Sequence, residues 1–364
     1  MRKRLQILVG ALLGIGLIWL FLRDLDGQAA LQTIRGANWS LLGAATLLTM
    51  STYLIRAIRW RALLEPVSPG VRLANLFNAT TLGFLAVFLV GRTGEIVRPV
   101  ALSSKEHVRP SASLATILME RVFDMVTVVA FFGVDLLVFK PPLADAETIT
   151  RIRTAGGVLM AIAVGSIFGL LMLHRHRVGA VDFLDRILQP VGRRIRKGVT
   201  SLVAHFAEAL SILHDRRELF VVSAWSVLLW TVCAITNLLI FRAFGLDLTV
   251  GAAIFVLGFS LVGSLVPTPG GAAGAFHVAT AGGLILLGVL ENEAKSIAII
   301  LHLIVFGSAL PLGVLTLLRG GYSLSRLRTA LSEDLNSIHD FSNPVDFEAP
   351  IAPIVPADGA KVDP

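Results

Sequence analysis

The sequence predicts an all-α fold, a polytopic membrane helix bundle, and three observations lead there. The 364-residue chain is 55% hydrophobic and 16% charged, with a mean hydropathy of +0.76, far from a soluble domain. Several uncharged runs approach the roughly 20 residues that cross about 30 Å of hydrocarbon. Glycine and proline also punctuate two apolar stretches where a lipid-facing helix could not continue.

The runs at 5–22, 36–55, 73–91, 154–173, 219–241 and 296–318 come near spanning length, and 112–139 does so around three central charges. Residues 248–290 form a longer stretch with His277 as its one ionisable side chain, enough for two passes or a hairpin. Residues 5–22 follow Met1-Arg2-Lys3-Arg4 and lead into Arg23-Asp24-Leu25-Asp26 in place of a small-residue cleavage site, so they read as a retained helix. The single Cys233 excludes a disulfide framework and a cysteine-based metal site. No cofactor and no metal are expected.

The net charge of +7 does not point to nucleic acid. Nine Lys/Arg lie between His174 and Glu218, beside spans, where basic residues report orientation and contact with anionic head groups. Residues 175–218, with apolar residues between the arginines, read as a cytoplasmic basic interfacial segment. Residues 321–364 turn acidic and proline-rich, which suits a disordered cytoplasmic tail. Residues 1–320 are then one transmembrane domain.

Charge also orders the spans. With the N-terminus in the cytoplasm, a full crossing at 73–90 would put Arg92, Arg98, Lys105, Arg109 and the loop after 173 outside, against the positive-inside rule. Letting 73–90 enter and return as a re-entrant element restores the rule, and an even number of crossings in 248–290 keeps Glu291-Asn292-Glu293 outside. The order becomes two spans, a re-entrant hairpin and a span, given twice in opposite orientation: about six full spans plus two hairpins, about eight helices, both termini cytoplasmic. This is the inverted-repeat plan of many transporters, whose broken helices meet near the midplane.

Three motifs carry candidate chemistry. Gly91-Arg92-Thr93-Gly94-Glu95-Ile96-Val97-Arg98-Pro99 follows the first re-entrant element, and Arg92, Glu95 and Arg98 share one helical stripe. Glu120, Arg121 and Asp124 lie inside the apolar run 112–139, where each unpaired charge would cost roughly 2.5–3.5 kcal/mol. Arg121 and Asp124 can pair at i,i+3, which leaves one negative charge in need of a cation from Arg92 or Arg98. In Val266-Pro267-Thr268-Pro269-Gly270-Gly271 the prolines and glycines break a helix, and a restart after Gly271 would aim amide groups at the break, suited to phosphate or carboxylate. His277 is either a proton-carrying group or a hydrogen-bonded helix histidine. Arg56, Arg59 and Arg61, at a span end beside Trp60, read as snorkelling anchors. His302 and Asp135 read as locally paired.

In this order, the Gly-Arg-x-Gly-Glu-x-x-Arg-Pro, Glu-Arg-x-x-Asp and Pro-Thr-Pro-Gly-Gly-x-x-Gly motifs resemble the lysylphosphatidylglycerol synthase transmembrane-region family, often called flippase-like proteins, over residues 6–318. The resemblance implies an inner-membrane bundle of about eight helices that translocates between leaflets, or binds, a phospholipid or an isoprenoid-type lipid. Only 320–364 follows the last span, too short for the aminoacyl-transfer domain of the two-part enzymes, so lipid lysylation is not expected. Where the family pattern often carries an acid after the Pro-Gly-Gly turn, this chain has His277. The expected partners are membrane lipids, either an anionic phospholipid or a polyprenyl or hopanoid lipid, with a homo-oligomer or a lipid-synthesis enzyme as protein partner. The competing readings are a membrane-embedded transferase acting on a lipid carrier, with Glu120, Asp124 or His277 as base, and a small-solute secondary transporter.

Overall fold

A computed structural model of the chain describes residues 14–66, 68–106, 108, 110–139, 145–175, 186–187, 216–266 and 268–319. The tail 321–364, Pro267, all of 1–13 and most of the basic segment 175–218 lie outside the described residues, as do the side chains of Arg92 and Pro269. Every regular element described is helical, so the all-α bundle is found. Trp39–Leu64, Arg216–Ala243 and Glu291–Arg319 are long and apolar enough to cross a membrane.

Helix α1 (residues 14–22) leads to the short α2 (Gly27–Gly36) and the long α3 (Trp39–Leu64). Side-chain oxygens start both of the latter. Asp26 accepts from the amides of Gln28 and Ala29, and Asn38 from those of Ser40 and Leu41, satisfying donors that a helix start leaves free.

The first hairpin differs from expectation in its extent. Residues Leu73–Val90 form one uninterrupted helix, α4, and the chain turns only afterwards, through a 3-10 turn at Gly91–Ile96, to return as α5 (Val97–Ser103). Gly91, at φ 76°, makes the reversal. Any Cβ on Gly94 would collide with the backbone of Ala86, and one on Gly83 with the Arg98 side chain. The glycine motif is thus the tip and returning limb of the hairpin, and it lays Arg98 along α4.

Helices α6 (Pro110–Val138) and α7 (Ala146–Arg175) follow and pack on each other, and α8 (Arg216–Ala243) lies against α3. The second hairpin is α9 (Val250–Ser264) and α10 (Ala275–Leu286), tied by a 2.8 Å bond between the Ser260 and Thr280 hydroxyls. At its tip, Pro269–Ala272 holds Gly270, Gly271 and Ala272 at φ 70°, 66° and 62°. Helices α11 (Glu291–Gly307) and α12 (Ala309–Arg319) close the bundle.

The two halves of the chain pack on each other reciprocally. Helix α3 pairs with α8, while α12 packs on the first hairpin and α6 on the second. The second tip rests on α4 and the 3-10 turn, so the two hairpins meet end to end. One buried apolar cluster, including Phe241, Phe255, Leu284 and Ile297, surrounds the second hairpin, and another, including Trp60, Leu76 and Leu102, surrounds the first. Charge collects between them.

Candidate functional site

Glu120 and Asp124 stand one helical turn apart on α6 and are both buried. Two carboxylates four residues apart repel, so their place in an apolar bundle depends on what faces them. Arg98, from the returning limb of the first hairpin, donates Nη1 to Glu120 Oε1 at 3.1 Å and Nη2 to Oε2 at 3.0 Å. This two-point contact is the strongest geometry a guanidinium offers a carboxylate. The Arg98 guanidinium also stacks 4.5 Å above the Trp60 ring.

Helix α3 supplies two more cations. Arg59, fully buried, donates Nη1 to Asp124 Oδ1 at 2.7 Å and to Ser226 Oγ at 2.9 Å, and its Nη2 lies 3.2 Å from Glu120 Oε1. Trp230 Nε1 donates to the same Asp124 oxygen at 3.1 Å. Arg56 sits farther out, with Nη1 3.8 Å from Asp124 Oδ2 and 4.0 Å from Glu120 Oε1. That nitrogen is buried and has no hydrogen-bond partner. Arg56 and Arg59 are therefore not outward anchors, whereas Arg61, two residues beyond Arg59, is exposed. The physical reason is rotational: Arg56 and Arg59 continue the buried stripe of Thr49, Thr52, Tyr53 and Trp60, the face that packs on α8 and α6.

Arg121 completes the cluster. It reaches Glu120 Oε1 at 3.2 Å, Asp124 Oδ2 at 3.5 Å and Glu95 Oε2 of the 3-10 turn at 3.8 Å. The structure thus brings together Glu95, Arg98, Glu120, Arg121 and Asp124 from two motifs, and adds Arg56, Arg59, Ser226 and Trp230. Among the described residues, four guanidiniums face three carboxylates.

A cavity of about 220 Å³ opens beside this cluster. Arg56, Glu95 and Arg121 line it together with Thr268, Gly271 and Ala272 from the second hairpin tip, so both tips contribute to one hollow. Thr52, Thr236, Asn237 and Ser260 add hydroxyl and amide groups to the wall, and Cys233 lies on it. The hollow is concave and apolar with a few convergent polar groups, the usual form of a ligand site.

The Pro-Gly-Gly turn holds its shape by contacts of its own. Thr268 Oγ1 donates to the Ala273 carbonyl at 2.9 Å, and His302 Nε2 lies 3.2 Å from the Gly271 carbonyl, which only a protonated Nε2 can satisfy. The helix restarts at Ala275, not directly after Gly271, and His277 Nδ1 accepts the Gly274 amide at 3.1 Å. Phe276 of that restart lines the cavity with an apolar ring, and the positive charge on the wall comes from the guanidiniums of Arg56 and Arg121. His277 is a capping histidine, its ring 4.4 Å from His302 and 5.1 Å from Phe21. His302 is paired as expected, and its partner is the backbone of this turn.

Sequence comparison places the chain among known proteins. Residues 7–313 match the family described as the lysylphosphatidylglycerol synthase TM region. The glycosyltransferase AglD of Haloferax volcanii is 24% identical over 303 residues, which is 76% of this chain and 48% of AglD, so the chain spans about half the length of that relative. A UPF0104 membrane protein of Methanothermobacter thermautotrophicus is 24% identical over 78% of this chain and 85% of its own. A UPF0104 membrane protein of Pyrococcus horikoshii is 21% identical over 88% and 97%.

Proposed function

This chain belongs to the lysylphosphatidylglycerol synthase transmembrane-region family, and on that premise we propose that it holds the head group of an anionic membrane lipid in the arginine-lined cavity and carries it between leaflets. The observation behind this reading is Arg56: a guanidinium on the cavity wall with a buried nitrogen that no protein acceptor satisfies. A buried donor left without a partner costs about 1–3 kcal/mol, and a phosphate or carboxylate oxygen entering the cavity removes that cost. The excess of guanidiniums over carboxylates favours an anionic head group over a cationic aminoacyl one. The meeting of two hairpin tips at the cavity is the geometry in which one half of an inverted repeat rocks on the other. We place the protein in the inner membrane with both termini cytoplasmic, following the bias of its basic residues.

The test is leaflet exchange in proteoliposomes with head-group-labelled phosphatidylglycerol, its lysyl form and a polyprenyl phosphate. Accelerated exchange of an anionic lipid, lost in Arg56→Gln and Arg121→Ala, is the expected result. Folded protein that accelerates none of the three refutes the reading.

The glycosyltransferase name carried by AglD supports a second reading, a transferase acting on a lipid carrier. Against it, the carboxylates at the cavity are each opposed by guanidiniums, and a general base needs a carboxylate within reach of a substrate proton. Turnover of a nucleotide sugar by the purified protein would favour the transferase.

A further inference from the structure

The head-group cavity accounts for the polar end of a lipid and leaves its hydrocarbon part without a path. A second hollow of about 500 Å³ runs along the seam between α3 and α11. Leu42, Met50, Leu303 and Ile304 give it apolar walls, and Gly43 and Gly307 widen it from the two helices. From Trp39 to Met50 it follows α3 for about 16 Å at 1.5 Å per residue, close to one leaflet's share of the hydrocarbon core.

This groove and the cavity are built from the same two helices. The cavity takes Thr52, Arg56 and Phe306, and the groove takes neighbouring faces of α3 and α11. Along α3 the groove occupies the Trp39 end and the cationic cavity the next turns, so a lipid with its head at Arg56 has its tail directed along the groove. The two walls are joined by a hydrogen bond: the Tyr53 hydroxyl, on the cavity wall, lies 3.1 Å from the Ser308 hydroxyl, on the groove wall. The chain bends at that point. Helix α11 ends at Gly307 and α12 begins at Ala309, and Pro311 has no amide hydrogen to offer the Gly307 carbonyl.

We propose that the α3–α11 seam is a lateral port, in which a hydrocarbon chain of the anionic lipid occupies the groove while its head occupies the cavity, with the Tyr53–Ser308 contact as the latch between them. This rests on the head-group reading above and adds the tail's route. The port keeps the chain in apolar surroundings while the head enters, so the lipid never has to leave the bilayer to be loaded.

Gly43 and Gly307 supply the test. A Cβ at either position would meet nothing within 4 Å, so leucine there fills the groove without displacing the protein. The purified protein is titrated calorimetrically with dihexanoyl phosphatidylglycerol and with its chainless head, glycerophosphoglycerol. The wild type is expected to bind the chained ligand at least tenfold tighter. Gly43→Leu and Gly307→Leu are expected to abolish that advantage and to leave binding of the chainless head unchanged. A chain advantage that persists in both variants overturns the port. If the chainless head fails to bind the wild type, or binds Arg56→Gln equally well, the head-group reading itself falls and takes the port with it. Tyr53→Phe, which removes the latch at nearly constant volume, is expected to speed lipid exchange in proteoliposomes at least threefold, and an unchanged rate removes the latch from the proposal.

Discussion

Arg98 grips Glu120 with both terminal nitrogens, at 3.1 and 3.0 Å, and so ties the returning limb of the first hairpin to the middle of α6. Breaking a buried pair by removing one partner leaves an uncompensated charge and costs about 3–5 kcal/mol. Arg98→Met or Glu120→Met alone is expected to destabilise by that amount, and the double variant by clearly less than the sum. Denaturant titration of the four proteins in detergent measures the cycle, and simple additivity would show that the pair is not coupled.

Arg56 and Arg59 lie one turn apart and should respond differently. Arg59 donates to Asp124 and Ser226 at 2.7 and 2.9 Å, whereas Arg56 approaches no carboxylate closer than 3.8 Å. Arg59→Gln is expected to lower the thermal midpoint sharply. Arg56→Gln is expected to keep the wild-type midpoint within a few degrees while slowing anionic-lipid exchange at least tenfold. Equal midpoints for the two variants would contradict this division of roles.

The tip of the second hairpin allows a ranking of two adjacent glycines. Both have positive φ, but a Cβ on Gly271 would lie 2.6 Å from the Phe306 ring, while one on Gly270 meets only Ala273 Cβ at 3.3 Å. Backbone strain alone costs about 1–3 kcal/mol. Gly270→Ala should lose about that much, and Gly271→Ala more, because the ring must also move. Thermal midpoints read side by side check the order.

At the open end of the first hairpin, Glu106 Oε1 accepts from Asn75 Nδ2 at 2.6 Å and from Arg72 Nε and the Arg72 amide at 3.1 and 3.3 Å. Partial burial pushes this carboxyl up, yet the hydrogen bonds from Asn75 and Arg72 outweigh it and hold it below its ordinary value of 4.5. A carboxyl depressed on folding adds stability above its unfolded pKa and loses it as pH falls through the folded value. Glu106→Ala should therefore cost about 1–3 kcal/mol at pH 7, and the gap from wild type should narrow only below about pH 4.5, the unfolded value. A gap that narrowed at pH 6 would point to another group.

Much of this arrangement was legible in the sequence, because a membrane makes charge conspicuous. Three ionisable residues in an apolar run demand partners, and Arg98 stands where that demand is met. The break at Gly270-Gly271 was visible for the same reason, since prolines and glycines in an apolar stretch cannot be lipid-facing helix. Arg56 and Arg59 were not legible as cluster members. Basic residues beside a tryptophan at a span end carry the signature of an interfacial anchor, and only the rotation of α3 against α6 and α8 shows which of the three arginines turn inward. A signal was present in Thr49, Thr52, Tyr53 and Arg56, a polar stripe at helical spacing in an otherwise apolar helix. The hairpin boundaries had no such signal. Leu73–Val90 carries no break of its own; the chain reverses only after it, at Gly91, and the returning limb closes because Gly94 fits against Ala86, a contact between segments. The start of α10 at Ala275 likewise depends on the His277 cap.

The one thiol of the chain, Cys233, stands on the wall of the cavity. The unmodified protein therefore carries a single attachment point at the place of greatest interest. A small thiol-specific reagent probes the interior of the cavity at a natural position, with no background from other cysteines and none removed to obtain it. The rate at which that sulfur is modified then reports how often the cavity opens to a reagent in the wild-type chain.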